Sequence, residues 1–263
     1  MIEKMQKLVR KYGSVLKAYR SRGGRAVGAM AVGSIVLAGG ILLLLRSFLR
    51  TSFAEGVVPG GALALLGLLV ILIGAGKHRA RIRCYLDYYQ RETGYSAEEL
   101  QAADRELMGA GAATIVGKTN RAKEEVIFMF TEHYFMSVWP NKGCYLVKLE
   151  DIVAAFYSCQ IPYISIYLEG LYVISKRDVG GKGRKNPLTK KQCGGYYNAI
   201  MNGQQNAEEV CRRAAEEIAK RVPNVIRQQH IVVNGEKFDL LSMKNWREDW
   251  NRILAGGVSW TTR

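Results

Sequence analysis

The chain has 263 residues, 48% hydrophobic and 23% charged, values close to those of an ordinary globular protein. Its 38 Lys and Arg against 23 Asp and Glu leave a formal charge of +15, which excludes an acidic, calcium-buffering protein and favours an anionic partner. The averages hide a split. Nearly all the strongly apolar sequence lies between Ala26 and Gly76, and the remainder reads as polar, strand-and-helix protein of a size that can bury its own core.

Residues 1–25 place Ile2, Met5, Val9, Tyr12, Leu16 and Tyr19 three or four apart, on one helical stripe, with Lys4, Lys7, Arg10, Lys11, Lys17 and Arg20 around the rest. This is the pattern of a basic amphipathic segment on an anionic leaflet, where each cation contributes about 1 kcal/mol of salt-screened attraction. Gly13 in mid-segment weakens the helix, and a plain positive-inside anchor would need the same charges.

Residues 26–76 predict a transmembrane helical hairpin. Ala26 to Leu45 and Gly56 to Gly76 are each at least twenty residues without a charge, enough at 1.5 Å per residue to cover about 30 Å of hydrocarbon. Residues 46–55 are too few for a domain and read as a turn outside the bilayer. Eight Lys and Arg precede the first span and four more lie in Lys77 to Arg83, against only Arg46 and Arg50 between the spans, so both termini are expected on the cytoplasmic side of the inner membrane. The first span is longer than the apolar region of a signal peptide, and cleavage is not expected. Ala29 and Gly33, and Gly60 and Ala64, are four apart, so backbones can approach closely there, between the two helices of one hairpin or between copies. No ionisable residue lies in either span, which disfavours a proton relay or ion path built from the hairpin alone.

Residues 77–107 predict juxtamembrane helices. Lys77 to Glu92 reads as one helix continuing the second span, with Ile82, Tyr85, Leu86 and Tyr89 on one face, expected to pack on the domain or on a second copy; Thr93-Gly94 ends it. Ser96 and Glu99 have capping-box spacing ahead of a helix through Leu107. From Thr114 the period becomes two. Strands are expected at Val126 to Phe130, Tyr134 to Trp139, Cys144 to Lys148, Ile152 to Cys159, around Ile164 to Leu168, and at Leu171 to Ser175, with turns at 131–133, 140–143 and 169–170. A meander of hairpins needs an apolar cover, and a helix from Ala207 to Val222, capped by Asn206 and stopped by Pro223, offers Val210, Ala214, Ile218 and Val222.

These strands, closed by one helix and joined to two spans, resemble the bacterial membrane proteins that carry a pleckstrin-homology-like cytoplasmic domain. The residues that carry the resemblance are Phe130-Thr131-Glu132-His133-Tyr134-Phe135, Leu149-Glu150-Asp151-Ile152-Val153, and Ile218 to Val225 ending in Arg221-Val222-Pro223-Asn224. It covers residues 108–224. A Gly-rich insertion between Gly180 and Gln205 departs from it, as does the lack of the phosphoinositide-binding basic motif of eukaryotic members. The resemblance implies a binding or scaffolding module.

Residues 225–263 predict a β-hairpin, His230 to Val233 and Glu236 to Leu240 around Asn234-Gly235, then a helix from Met243 to Leu254 with Trp246, Trp250, Ile253 and Leu254 on one side. The tryptophans read as packing anchors, with a partner-facing patch as the second possibility.

Five cysteines show no CxxC pair and the three histidines have no partner at metal spacing, so neither a metal nor a cofactor is expected. Gly180 to Lys185 lacks the spacing of a phosphate loop, and Glu150-Asp151, as strand neighbours, would point to opposite faces, so no catalytic residue is assigned. Lys176, Arg177, Lys182, Arg184, Lys185, Lys190 and Lys191 put seven cations within sixteen residues against the single acid Asp178, a segment that can meet a polyanion or anionic lipid, or simply stay solvated.

The sequence thus leads to an α+β membrane protein: a two-helix transmembrane hairpin and an antiparallel β, pleckstrin-homology-like domain closed by a C-terminal helix. Its expected role is non-catalytic binding or scaffolding toward anionic lipid or a protein partner, as a possible homo-oligomer. The alternative is an accessory subunit of a membrane transporter or enzyme complex. Nucleic acid is not an expected partner, because the cations concentrate next to the spans.

Overall fold

A computed structural model of the chain describes residues 3–21, 25–49, 53–118, 125–139, 143–158, 170–179, 197–200, 207–243 and 245–256. It is α+β, and it divides into two compact units, Lys7–Ala97 and Met1–Gln6 with Glu98–Arg263.

The first unit is helical. Helix α1 (Glu3–Tyr12) ends where Gly13 turns into the left-handed region at φ +63°, its N–H bonded to Val9 O at 2.7 Å. Ser14 restarts the chain as α2 (Val15–Ser21) by accepting the Lys17 N–H on its Oγ at 2.9 Å, an N-cap bond. The expected single amphipathic helix is therefore broken in two, because glycine is the residue for which a left-handed turn costs least.

Helices α3 (Arg25–Leu49) and α4 (Phe53–Arg83) pair as a hairpin, and both are long and apolar enough to cross a membrane by length and composition. They run further than the charge-free stretches suggested, so the turn is shorter than residues 46–55. Gly33, Gly40 and Ser47 are buried on α3, and Gly60, Gly67 and Gly74 on α4, each set seven apart. A Cβ on Gly33 would meet Gly67 O at 3.0 Å, one on Gly40 would meet Gly60 O at 2.8 Å and Ala64 N closer still, and one on Gly67 would meet Leu37 N at 2.5 Å. Backbone thus lies directly on backbone. A seven-residue repeat returns to the same face every two turns in a left-handed supercoil, the geometry of 3-4 ridge packing. The expected four-residue pairs name Gly33, Gly60 and Ala64 correctly as small contact residues, but the period that organises the seam is seven.

The expected continuous helix from Lys77 to Glu92 is interrupted at Cys84, between α4 and α5 (Tyr85–Thr93); hydrogen bonds from Cys84 N to Ala80 O and from Tyr88 N to Cys84 O span the break. Of its apolar stripe, Tyr85 and Tyr89 meet α2 within the same unit, Tyr85 under Lys17, while Ile82 and Leu86 stay partly exposed. Tyr89 is buried and donates its hydroxyl to Leu16 O on α2 at 3.3 Å.

In the second unit, α6 (Ala97–Met108) precedes an antiparallel meander of β1 (Ala113–Lys118), β2 (Glu125–Phe130), β3 (Tyr134–Trp139) and β4 (Gly143–Lys148), in that order. Leu149–Asp151 form a 3-10 turn, so Glu150 and Asp151 are not strand neighbours as expected. The second sheet holds β5 (Ile152–Ser158), β6 (Gly170–Ser175) and β7 (Tyr197–Ile200). Strand β7 falls inside the expected Gly-rich insertion and pairs antiparallel with β6, as Gly170 with Ile200 and Leu171 with Ala199. The expected strand around Ile164 to Leu168, the turns at 140–143 and 169–170, and the Asn206 cap lie wholly or partly outside the described residues.

Helix α7 (Lys176–Val179) follows β6, and α8 (Ala207–Arg221) closes the inner side of both sheets. Phe128, Phe130, Phe135, Val147, Leu171 and Val173 meet Cys211, Ala214, Ile218 and Val222 there. The outer faces are covered as well. Tyr134 and Lys148 bond to α6, and the strand face they share carries the buried Met129, Met136 and Leu146. On the other sheet, Phe156, Tyr172 and Ile174 pack on the hairpin β8 (His230–Val233) and β9 (Glu236–Asp239) and on α9 (Trp246–Ala255). The hairpin turn is the expected one, Asn234 at φ 51° and Gly235 at φ 84°.

Candidate functional site

Of the seven loop cations, Lys176 and Arg177 are described. Both are exposed on α7, directly after β6. A capping box holds them there: Asp178 Oδ2 accepts from Ser175 N at 2.8 Å and Ser175 Oγ at 2.7 Å, while Asp178 N donates to Ser175 Oγ at 3.4 Å. Trp246 Nε1 donates to Asp178 O at 2.9 Å, so the C-terminal helix fastens this turn to the sheet. Asp178, the one acid in the basic run, is thus engaged as a cap. Lys182, Arg184, Lys185, Lys190 and Lys191 lie outside the described residues.

The amino-terminal cations divide between α1 and α2. Lys7, Arg10 and Lys11 are exposed on α1, Lys11 with its Nζ 5.5 Å from the Tyr12 ring centroid, and Lys4 belongs to the same helix. On α2, Leu16 and Tyr19 are covered by the chain itself, and the two cations lie on aromatic rings of α5: Lys17 Nζ is 5.8 Å from the Tyr85 centroid and Arg20 Cζ 3.7 Å from that of Tyr88. A guanidinium this close to a ring is attracted by the ring quadrupole. Lys17 and Arg20 are in this way oriented rather than merely solvated.

A polar cluster that sequence reasoning missed joins α6 to the β2–β3 turn. Glu106 accepts from His133 Nδ1 at 2.8 Å and from His133 N at 3.1 Å. Partial burial pushes the Glu106 carboxyl up, but hydrogen bonds from Thr131 and from the ring and backbone of His133 outweigh it and hold the group below the usual carboxylate range. At the other end of α6, Lys148 Nζ lies 2.5 Å from Glu99 Oε1 and Tyr134 Oη donates to Glu99 O at 3.2 Å. The Glu99 hydrogen bond holds Lys148 protonated above its ordinary value against the opposing effect of desolvation. Burial pushes the Tyr134 hydroxyl up. A Thr-x-His turn followed by a strand gave no hint of this, since the partner lies 27 residues earlier.

Trp246 and Trp250 are buried anchors, edge to face with centroids 5.7 Å apart, as expected of packing residues. Cys84 is exposed and Cys211 buried, both as thiols. Among the described residues no three His, Cys, Asp or Glu side chains gather closely enough to hold a metal ion. Comparison with known protein families, with curated proteins and with solved structures gives no significant match.

Proposed function

We propose that the chain is a membrane-anchored binding protein: α3 and α4 span the inner membrane with both flanks cytoplasmic, and the sheet unit is a pleckstrin-homology-like module presented to an anionic lipid surface or a protein partner. The observation that carries this reading is the outer surface of the hairpin. Only 11% and 17% of the two apolar windows are buried, where a core helix of a water-soluble protein would be mostly covered, and Ile35, Leu42, Leu65 and Leu72 are each more than half exposed. That surface needs hydrocarbon around it. Within it, Ser34 and Ser47 return their hydroxyls to Met30 O and Leu43 O, so these polar groups are satisfied inside their own helices.

The four-plus-three antiparallel sheets with α8 closing their inner side support the pleckstrin-homology-like reading of residues 108–224. The orientation rests on the excess of Lys and Arg before Ala26 and in Lys77 to Arg83. Gly28, Gly39, Gly61 and Gly76 meet nothing within 4 Å, which leaves room for a second copy to approach the hairpin.

Protease added to sealed right-side-out vesicles tests the topology: residues 98–263 are expected to survive intact, and their digestion from outside rejects the orientation. Alkaline carbonate washing tests insertion. The protein is expected to stay in the membrane pellet, and its release rejects the spanning reading.

A further inference from the structure

Where α2 packs on α4, positive charge gathers on segments that supply no acid: residues 4–54 contain neither Asp nor Glu, and neither do residues 56–86. Arg81 feels the positive field of Arg20, and His78 those of Arg81 and Lys11, so groups from three helices share one locality. Two of them keep buried hydrogen-bonding atoms without a partner among the described residues, Arg20 Nε and His78 Nδ1. A buried polar group in this state costs free energy until an acceptor or donor meets it. Arg20 Cζ also lies 3.7 Å from the Tyr88 ring centroid, which ties the guanidinium to α5.

We propose that Arg20, His78 and Arg81 bind the phosphodiester of an anionic phospholipid headgroup, with Lys11 at the rim. A planar guanidinium presents paired donors that match phosphate oxygens, and an imidazole adds one more. Depth selects lipid over a soluble anion, a step that rests on the spanning reading above. The apolar run of α4 ends at Gly76, and His78 and Arg81 follow two and five residues later. At 1.5 Å per residue they lie about 3 and 8 Å beyond the hydrocarbon edge, the depth of the headgroup layer. The burial of Val15, Leu16, Ala18 and Tyr19 holds α2 against its neighbours, with Arg20 on Tyr88 as a further contact to α5.

The test uses full-length protein in a non-ionic detergent, titrated with dioctanoyl-phosphatidylglycerol and followed by thermal stabilisation. Stabilisation by this lipid is expected, with Arg20→Gln and Arg81→Gln each raising the apparent Kd about tenfold, the loss of one charged hydrogen bond. Arg20→Lys is expected to recover part of the affinity, and the double variant Lys176→Gln, Arg177→Gln to bind as the native chain does. If Arg20→Gln does not fold, Arg81→Gln carries the comparison. Unchanged affinity in folded variants overturns the site, and so does equal stabilisation by dioctanoyl-phosphatidylcholine. Equal stabilisation by inorganic phosphate overturns the lipid assignment. The carbonate wash separates this proposal from the one it rests on: a protein that stays in the pellet but shows no Arg20 or Arg81 dependence removes the site alone.

Discussion

Glu106 works as a clasp because both of its oxygens are used: one meets the His133 ring at 2.8 Å and the other the His133 N–H at 3.1 Å. Replacing it by Ala leaves that turn of the meander without its acceptor, and Glu106→Ala is expected to lower the unfolding free energy at pH 7 by about 1–2 kcal/mol, measured by urea denaturation with tryptophan fluorescence. The pH dependence follows from the sign of the shift. The carboxyl sits below its ordinary value of 4.5 in the folded chain, so its contribution is complete above that value and is lost as pH falls through the lower folded one. The gap between native chain and variant should therefore narrow as the pH is lowered below 4.5; a gap that does not change with acidification would mean that the carboxylate charge is not what holds the turn. Lys148 behaves in the opposite sense. Its value is raised, so the Glu99 contact contributes below 10.5 and is lost as pH rises beyond it. The pair is half-exposed, and Lys148→Gln is expected to cost about 1 kcal/mol or less.

Elements meet in two ways in this chain, backbone on backbone and aromatic on sheet. In the α3–α4 seam a methyl group on Gly40 or Gly67 would press on backbone atoms, which cannot rotate aside. Alanine gains about 1 kcal/mol of helix propensity over glycine, but overpacking costs about 1–3 kcal/mol, so the clash decides the sign. Gly40→Ala and Gly67→Ala should each lower the melting temperature in detergent, while Gly39→Ala and Gly61→Ala, which meet nothing within 4 Å, should leave it level or raise it. Equal effects from all four would show that the seam is not tightly packed. At the outer face of the second sheet the leading anchors are Trp246 and Trp250, buried beside Phe156 and Tyr172, whose rings stack at 5.6 Å. Trp250→Ala removes a large side chain from a closed site and should cost about 3–5 kcal/mol in the same urea experiment. A cost below 1 kcal/mol would mean that α9 contributes little to the fold.

At the scale of the whole molecule, the two apolar clusters of the sheet unit are drawn, among the described residues, from residues 128–253. A chain segment that owns its core can fold by itself. Residues 98–263 expressed alone should therefore be soluble and melt in one cooperative step followed by circular dichroism, whereas a non-cooperative or aggregated product would show that the hairpin unit is required. Shortening the same fragment to end at Arg227 should expose Phe156, Tyr172 and Ile174 and bind a hydrophobic dye. The two outer covers, α6 on one sheet and the β8–β9 hairpin with α9 on the other, explain why such a fragment needs both ends of its sequence.

The sequence by itself determined the elements whose cause is local. Charge-free runs of twenty residues require two long helices, short runs rich in β-branched and aromatic residues give β2 to β6, and Asn234-Gly235 sets its own turn, because each depends on the chemistry of adjacent residues. It also held a signal that alternation alone misses: Val126 to Phe130 and Leu171 to Ile174 are apolar without a break, the mark of strands covered on both faces, and both sheets are so covered. What tertiary structure decided depends on neighbours distant along the chain. Strand β7 has weak local character and exists by pairing with β6, the stripe through Leu16 and Tyr19 is buried by helices some seventy residues later, and Glu106 finds His133 only once α6 lies on the meander. The glycine seam stands between the two: its seven-residue period is written in the sequence, but only the antiparallel partner shows which glycines face a backbone and which face outward.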